Sequence, residues 1–138
     1  MSGQAQELAD LRALLAIVDR AIGLQERAVA VIRACAAPGE PPTSVAREGG
    51  VVAGEYHRLW GWSLDFAPDA GTESLERRVS QLLMHHCQLL HVSIRLAFPK
   101  YRSERLERLR RSVLDLGPLA AELRSVRDEL ELWIATIE

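Results

Sequence analysis

Apolar residues recur at alternating steps of three and four through most of the chain, the spacing of packed helices. Over about residues 4–36, Leu8, Leu11, Leu15, Val18, Ile22, Gln25, Val29 and Ile32 form such a seam. Leu14, Ile17, Leu24 and Val31 widen it beyond what a two-stranded coiled coil needs. Gln25, its one polar member, is expected at the seam's edge with its amide reaching solvent. Pro38-Gly39 ends this helix, and residues 37–43 read as a stiff polar linker. A second helix is predicted over 44–60, capped by Thr43 or Ser44 and carrying Val45, Val52, Tyr56 and Leu59 at helical spacing. Gly49, Gly50 and Gly54 weaken it by about 1 kcal/mol each relative to alanine, so it is expected to fray or to begin only near Val51.

The pattern then changes. Trp60-Gly-Trp62-Ser-Leu64-Asp-Phe66 alternates large apolar with small or polar residues, a period of two. In a chain otherwise helical it has no strand to pair with. It is predicted to be an extended connection in an aromatic loop, 60–71, whose rings plug the bundle's end, with Pro68-Asp-Ala-Gly71 as a turn. Helical spacing returns over 73–98, capped by Thr72 or Ser74 and stopped by Phe98-Pro99. From Leu82 onward that helix is apolar on almost every side, which places it at the centre of a bundle. A fourth helix, 103–116, starts at Ser103 and buries Leu106, Leu109, Val113 and Leu116. After Gly117-Pro118 the seam resumes over 118–137 with Leu119, Leu123, Val126, Leu130, Trp133 and Ile137. The fold read from this is all-α. It is a single-domain antiparallel bundle of four helices, or five, with long first and last helices, the last kinked or broken at Gly117-Pro118.

Composition narrows the classes without choosing among them. The chain has 138 residues and a formal charge of −2, so no global field points to nucleic acid or membrane. No apolar run is long enough to span a bilayer, and the N-terminus lacks the pattern of a signal peptide. Cys35 and Cys87 fall in helical patterns as buried thiols, which suits a reduced cytoplasmic setting. Lys100 is the only lysine, an arginine bias that reads as base composition of the gene rather than as function.

Four groups of residues carry candidate chemistry. On a helical wheel His86 shares a face with Leu75, Val79, Leu82, Leu90 and Ala97, with His85 about 100° to one side and His91 about 140° to the other. The three do not converge from one helix. His86 is therefore expected as a buried histidine bonded to a neighbouring helix. A metal- or ligand-binding bundle centred on His86, Cys87 and His91 is the alternative, with Cys87 and His91 four apart and His57 or Cys35 as further donors. The Glu-x-x-His repeat of di-iron bundles is missing, and no cofactor is expected.

Arg78 and His85 are seven apart and share a helical face. This Arg-x6-His spacing resembles the catalytic motif of the HEPN ribonucleases, small all-helical proteins that build their site across a dimer. The resemblance implies that Arg78 and His85 would act as the acid–base and phosphate-stabilising pair. It departs from the family at Val79, where a polar residue commonly follows the arginine.

The stretch Arg95 to Arg111 holds seven cations against Glu104 and Glu107, a net +5, and Ser112 to Glu138 holds six acids against two arginines, a net −4. Glu104–Arg108 and Glu107–Arg111 are spaced for i,i+4 pairing. The stretch is therefore read as a solvated or self-complementary face and not as a nucleic-acid surface. Finally, Trp60, Trp62 and Phe66 are the residues expected to touch a partner, since tryptophans make good anchors. With no nucleophile beside a base and no phosphate loop, the chain is read as a non-enzymatic adaptor, assembly or regulatory subunit. It is expected to pair with itself, the long seams of its first and last helices protruding, and with another protein.

Overall fold

The computed structural model describes residues 2–66 and 74–138. Among them the chain forms an all-α bundle: α1 (Ser2–Gly23), α2 (Gln25–Ala36), α3 (Thr43–Ser63), a short 3-10 turn (Leu64–Phe66), α4 (Leu75–Ala97), α5 (Glu104–Ser112) and α6 (Pro118–Ile137). α4 touches every other helix, as expected of a stretch that is greasy on almost every side. Its Ser74 cap accepts a hydrogen bond from Arg77 N at 3.2 Å, and it ends at Phe98, before Pro99.

α1 and α2 are the halves of one long, bent first helix. At the junction Leu24 N reaches back to Ala21 O at 3.2 Å, a tighter i→i−3 turn, before Ala28 N resumes helical bonding to Leu24 O at 2.9 Å. The Tyr56 hydroxyl of α3 donates to Ala21 O at the bend, 2.8 Å. The buried seam of this arm is Leu11, Leu14, Val18, Ala21, Gln25, Ala28, Ile32 and Cys35. Three of the eight predicted seam positions are thus shifted by one residue: Leu15, Ile22 and Val29 are only half-buried, beside buried Leu14, Ala21 and Ala28. The alanines win the buried positions because their small side chains let neighbouring backbones approach. Gln25 is corrected with the same shift: it is buried rather than reaching solvent.

α3 is continuous over all 21 of its residues, glycines included. It lies antiparallel to α4, with Gly49 against Ile94, Ala53 against Cys87, and Ser63 bonded to Ser80 at 2.9 Å. A Cβ on Gly49 would stand 2.6 Å from Ile94 Cδ1 and 3.1 Å from Val31 Cγ1, so glycine here permits close packing on two helices. Gly50 and Gly54 face open space. The helix also absorbs most of the predicted aromatic loop. Trp60 and Trp62 lie on α3, and Phe66 on the 3-10 turn that continues it, so the extended reading of 60–66 is overturned. Small Ser63, buried against Ser80, makes the apparent period of two compatible with a helix. The predicted turn at Pro68–Gly71 and the alternative cap Thr72 lie outside the described residues.

α6 runs antiparallel to α1 and the start of α2, as Arg12 with Glu138, Asp19 with Arg127, and Gln25 with the Ala120 carbonyl show. The last arm is broken, not kinked. Gly117 takes a left-handed φ of 59°, its N–H is held by Asp115 Oδ1 at 2.7 Å, and Pro118 opens α6. α5 ends at Ser112, earlier than predicted, and the face it buries differs too. Leu109 is exposed and Arg110 is buried at 2% exposure.

Candidate functional site

His86 sits in the middle of the bundle, fully buried, its ring 5.2 Å from that of Tyr56. Its Nδ1 lies 2.7 Å from the Leu82 carbonyl. A carbonyl only accepts, so Nδ1 carries the proton and Nε2 presents a lone pair. The Gln25 amide nitrogen, 3.3 Å from Nε2, donates to it and also to Ala120 O at 3.3 Å. This one contact joins α2, α4 and α6. Burial pushes the His86 imidazole below its ordinary pKa, against the opposing pull of the Leu82 carbonyl.

The structure does not bring His86, Cys87 and His91 to a common point. Both His86 nitrogens are engaged within the protein, Cys87 Sγ points to Ala53 O at 3.5 Å, and His91 is exposed. Burial raises the pKa of the Cys35 and Cys87 thiols, which disfavours the thiolate a metal would need. Among the described residues no group of three or more His, Cys, Asp or Glu is placed to hold a metal ion.

Arg78 and His85 are both exposed on α4. Arg78 is engaged by Glu129 of α6, Nη1 to Oε2 at 3.0 Å. No hydrogen bond joins His85 to Arg78 among the described residues.

The three aromatic candidates divide. Trp60 packs against the core and meets the His57 ring at 5.3 Å. Phe66 also packs against the core. Trp62 points outward, 50% exposed, beside Arg20, Glu55, Arg58 and Leu59, with Leu64 exposed just beyond it.

Phe66 also helps to line a cavity of about 410 Å³ at the end of the bundle where α1 starts and α6 finishes. Its lining carries Leu11, Leu14 and Trp133 together with the acidic Glu7, Asp10, Asp65 and Glu76, the last with one carboxylate oxygen buried and without a hydrogen-bond partner, and no cationic residue lines it among the described residues. These carboxylates come from α1, the 3-10 turn and α4, so no local motif announces them.

At the opposite end, Arg110 explains why α5 docks as it does. One guanidinium nitrogen donates to both Cys35 O and Ala37 O at 2.7 Å, answering carbonyls left open where α2 ends. The other edge pairs with Glu107, through Nε at 3.1 Å and through Nη2. That bond holds the Glu107 carboxyl below the usual carboxylate range. Arg102 also reaches Glu107, at 3.9 Å, and Glu40, at 3.7 Å. Among the described residues neither of the expected pairs forms: Glu107 is drawn to Arg110 and Arg102 instead of Arg111, and Glu104 and Arg108 are exposed without pairing. Lys100, Arg105, Arg108 and Arg111 are exposed and make no ion pair among the described residues. Exposed Tyr101, Leu109 and Leu114 belong to the same segment.

No helix among the described residues is long and apolar enough to cross a membrane. No family model, curated protein or solved structure matches the chain.

Proposed function

We propose that this chain is a non-enzymatic interaction module, an adaptor, assembly or regulatory subunit that works through protein–protein contacts. The observation that carries the reading is Trp62. It is a large aromatic held outward on a rigid helix, half exposed and continuous with exposed Leu64. Water is a poor place for such a surface, and a tryptophan fixed on a helix loses little further entropy when a partner covers it. Trp60 and Phe66 support that edge from beneath, packed on the core. The chemically capable residues buried inside the bundle are meanwhile engaged in joining its helices.

The test compares Trp62→Glu and His85→Ala with the wild type, using in-cell cross-linking to identify the partner and purified proteins to measure affinity. Loss of a central tryptophan anchor costs about 2 kcal/mol or more, roughly thirtyfold in affinity. Trp62→Glu is expected to lose the identified partner to that extent while keeping its helical circular dichroism, and His85→Ala is expected to bind normally. RNA cleavage by the wild type that His85→Ala abolishes would overturn the reading, as would a Trp62→Glu variant that keeps its partner at full affinity.

A further inference from the structure

The two ends of the bundle carry opposite charge. One holds the cavity lined by the acidic Glu7, Asp10, Asp65 and Glu76 and by the apolar Leu11, Leu14, Phe66 and Trp133. The other holds Lys100, Arg105, Arg108 and Arg111, four cations against exposed Glu104 and Asp115, with Tyr101 82% exposed and Leu109 and Leu114 exposed beside them. Glu107 cannot neutralise that cluster, because Arg110 and Arg102 already hold it.

Nor can the two ends neutralise each other within one molecule. Glu76 stands at the start of α4, and α5 follows the other end of the same helix. The 23 residues of α4 separate them by about 35 Å at 1.5 Å per residue. That is several times the Debye length of about 10 Å at 0.1 M salt. The cavity's carboxylates are also not grouped to hold a metal ion. Their charge suits a broad cationic surface with apolar side chains among its cations, and the chain itself presents one.

We infer that the acidic cavity of one chain receives the basic α5 end of a second copy, Tyr101 and Leu109 meeting Phe66 and Trp133 within a ring of Arg–carboxylate pairs. This contact rests on the interaction-module reading and names a partner for its Phe66 end, leaving the Trp62 edge free for a different protein. Unlike the protruding seams expected from sequence, it joins unlike surfaces. It closes if two copies engage reciprocally and runs on if they stack head to tail.

Two charge-reversed variants test it on the full chain, Arg105→Glu/Arg108→Glu at one end and Glu7→Lys/Asp65→Lys at the other. All four residues are exposed, so circular dichroism should match the wild type. Sedimentation velocity is run at about 0.05 M and 0.5 M salt, where screening differs roughly threefold in length. The wild type is expected to exceed the 15.4 kDa of one chain at low salt and to dissociate at high salt. Each variant alone is expected to sediment as a single chain, and an equal mixture of the two to regain the association. A wild type that stays monomeric at low salt and high concentration would overturn the inference, as would either variant associating like the wild type. In both cases the Trp62 partner test would stand unaffected, so failure of self-association and failure of the module reading are separable.

Discussion

His86 lies in the middle of the bundle without charge, whereas Arg110 is buried at the α5 end as a cation. The histidine is neutral because burial disfavours its charged form and because Gln25 offers a donor, not an acceptor, to Nε2. The arginine is charged because Glu107 and two carbonyls at the end of α2 all accept from it. The two joints also differ in completeness. The guanidinium nitrogens of Arg110 are all engaged, while Gln25 Oε1 is buried with no hydrogen-bond partner among the described residues. Both residues belong to types that suggested chemistry in the sequence, a metal ligand in one case and a basic surface in the other. Each holds helices together instead.

The largest effect is expected at Arg110. Arg110→Met keeps the bulk but leaves the Cys35 and Ala37 carbonyls and the Glu107 carboxylate without their donor. A loss of about 2–3 kcal/mol is expected, as for leaving two buried carbonyls without their charged donor, read as a fall in the urea midpoint with an unchanged slope. An unchanged midpoint would mean that α5 does not need this joint.

Gln25→Leu sharpens the contrast. It strips the donor from His86 Nε2 and Ala120 O, but it also removes the unpartnered Oε1. The net loss is expected to be smaller, about 1–2 kcal/mol, measured the same way. A larger loss than at Arg110 would mean that the His86 joint holds the bundle more tightly than the Arg110 joint.

Much of the bundle was legible because steps of three and four survive in any packed helix, and α4 identified itself by being apolar nearly all round. What stayed hidden depended on partners distant along the chain. Ala21 and Ala28 outrank Ile22 and Val29 in burial, which no reading that weights large side chains would find. Gly49 looked like a weakness until Ile94 and Val31 supplied the neighbours that need it small. Arg110 looked solvated because the carbonyls it answers are 73 and 75 residues away. The aromatic stretch misled through its alternation, since Ser63 is small for packing against Ser80, not polar for solvent. The acidic cavity left no local trace, its carboxylates spanning Glu7 to Glu76. The basic end was visible as a charge excess, but the capture of Glu107 by Arg110 and Arg102 was not.

The measurement closest to the central claim is the side-chain ¹⁵N NMR titration of His86, from pH 7.5 to 5, without and with zinc. Because its folded pKa lies below the ordinary 6.5, the unfolded chain binds the proton first as pH falls. This group's contribution is therefore intact above about pH 6.5. It declines as pH drops from there towards the folded pKa, with a limiting slope of about 1.4 kcal/mol per unit. Folded His86 is expected to be still mostly the neutral Nδ1–H tautomer at pH 6.5, where an ordinary imidazole is half protonated, and to be unmoved by zinc. Titration at the ordinary value, or a zinc-induced shift, would contradict it and return His86 to the candidates for chemistry.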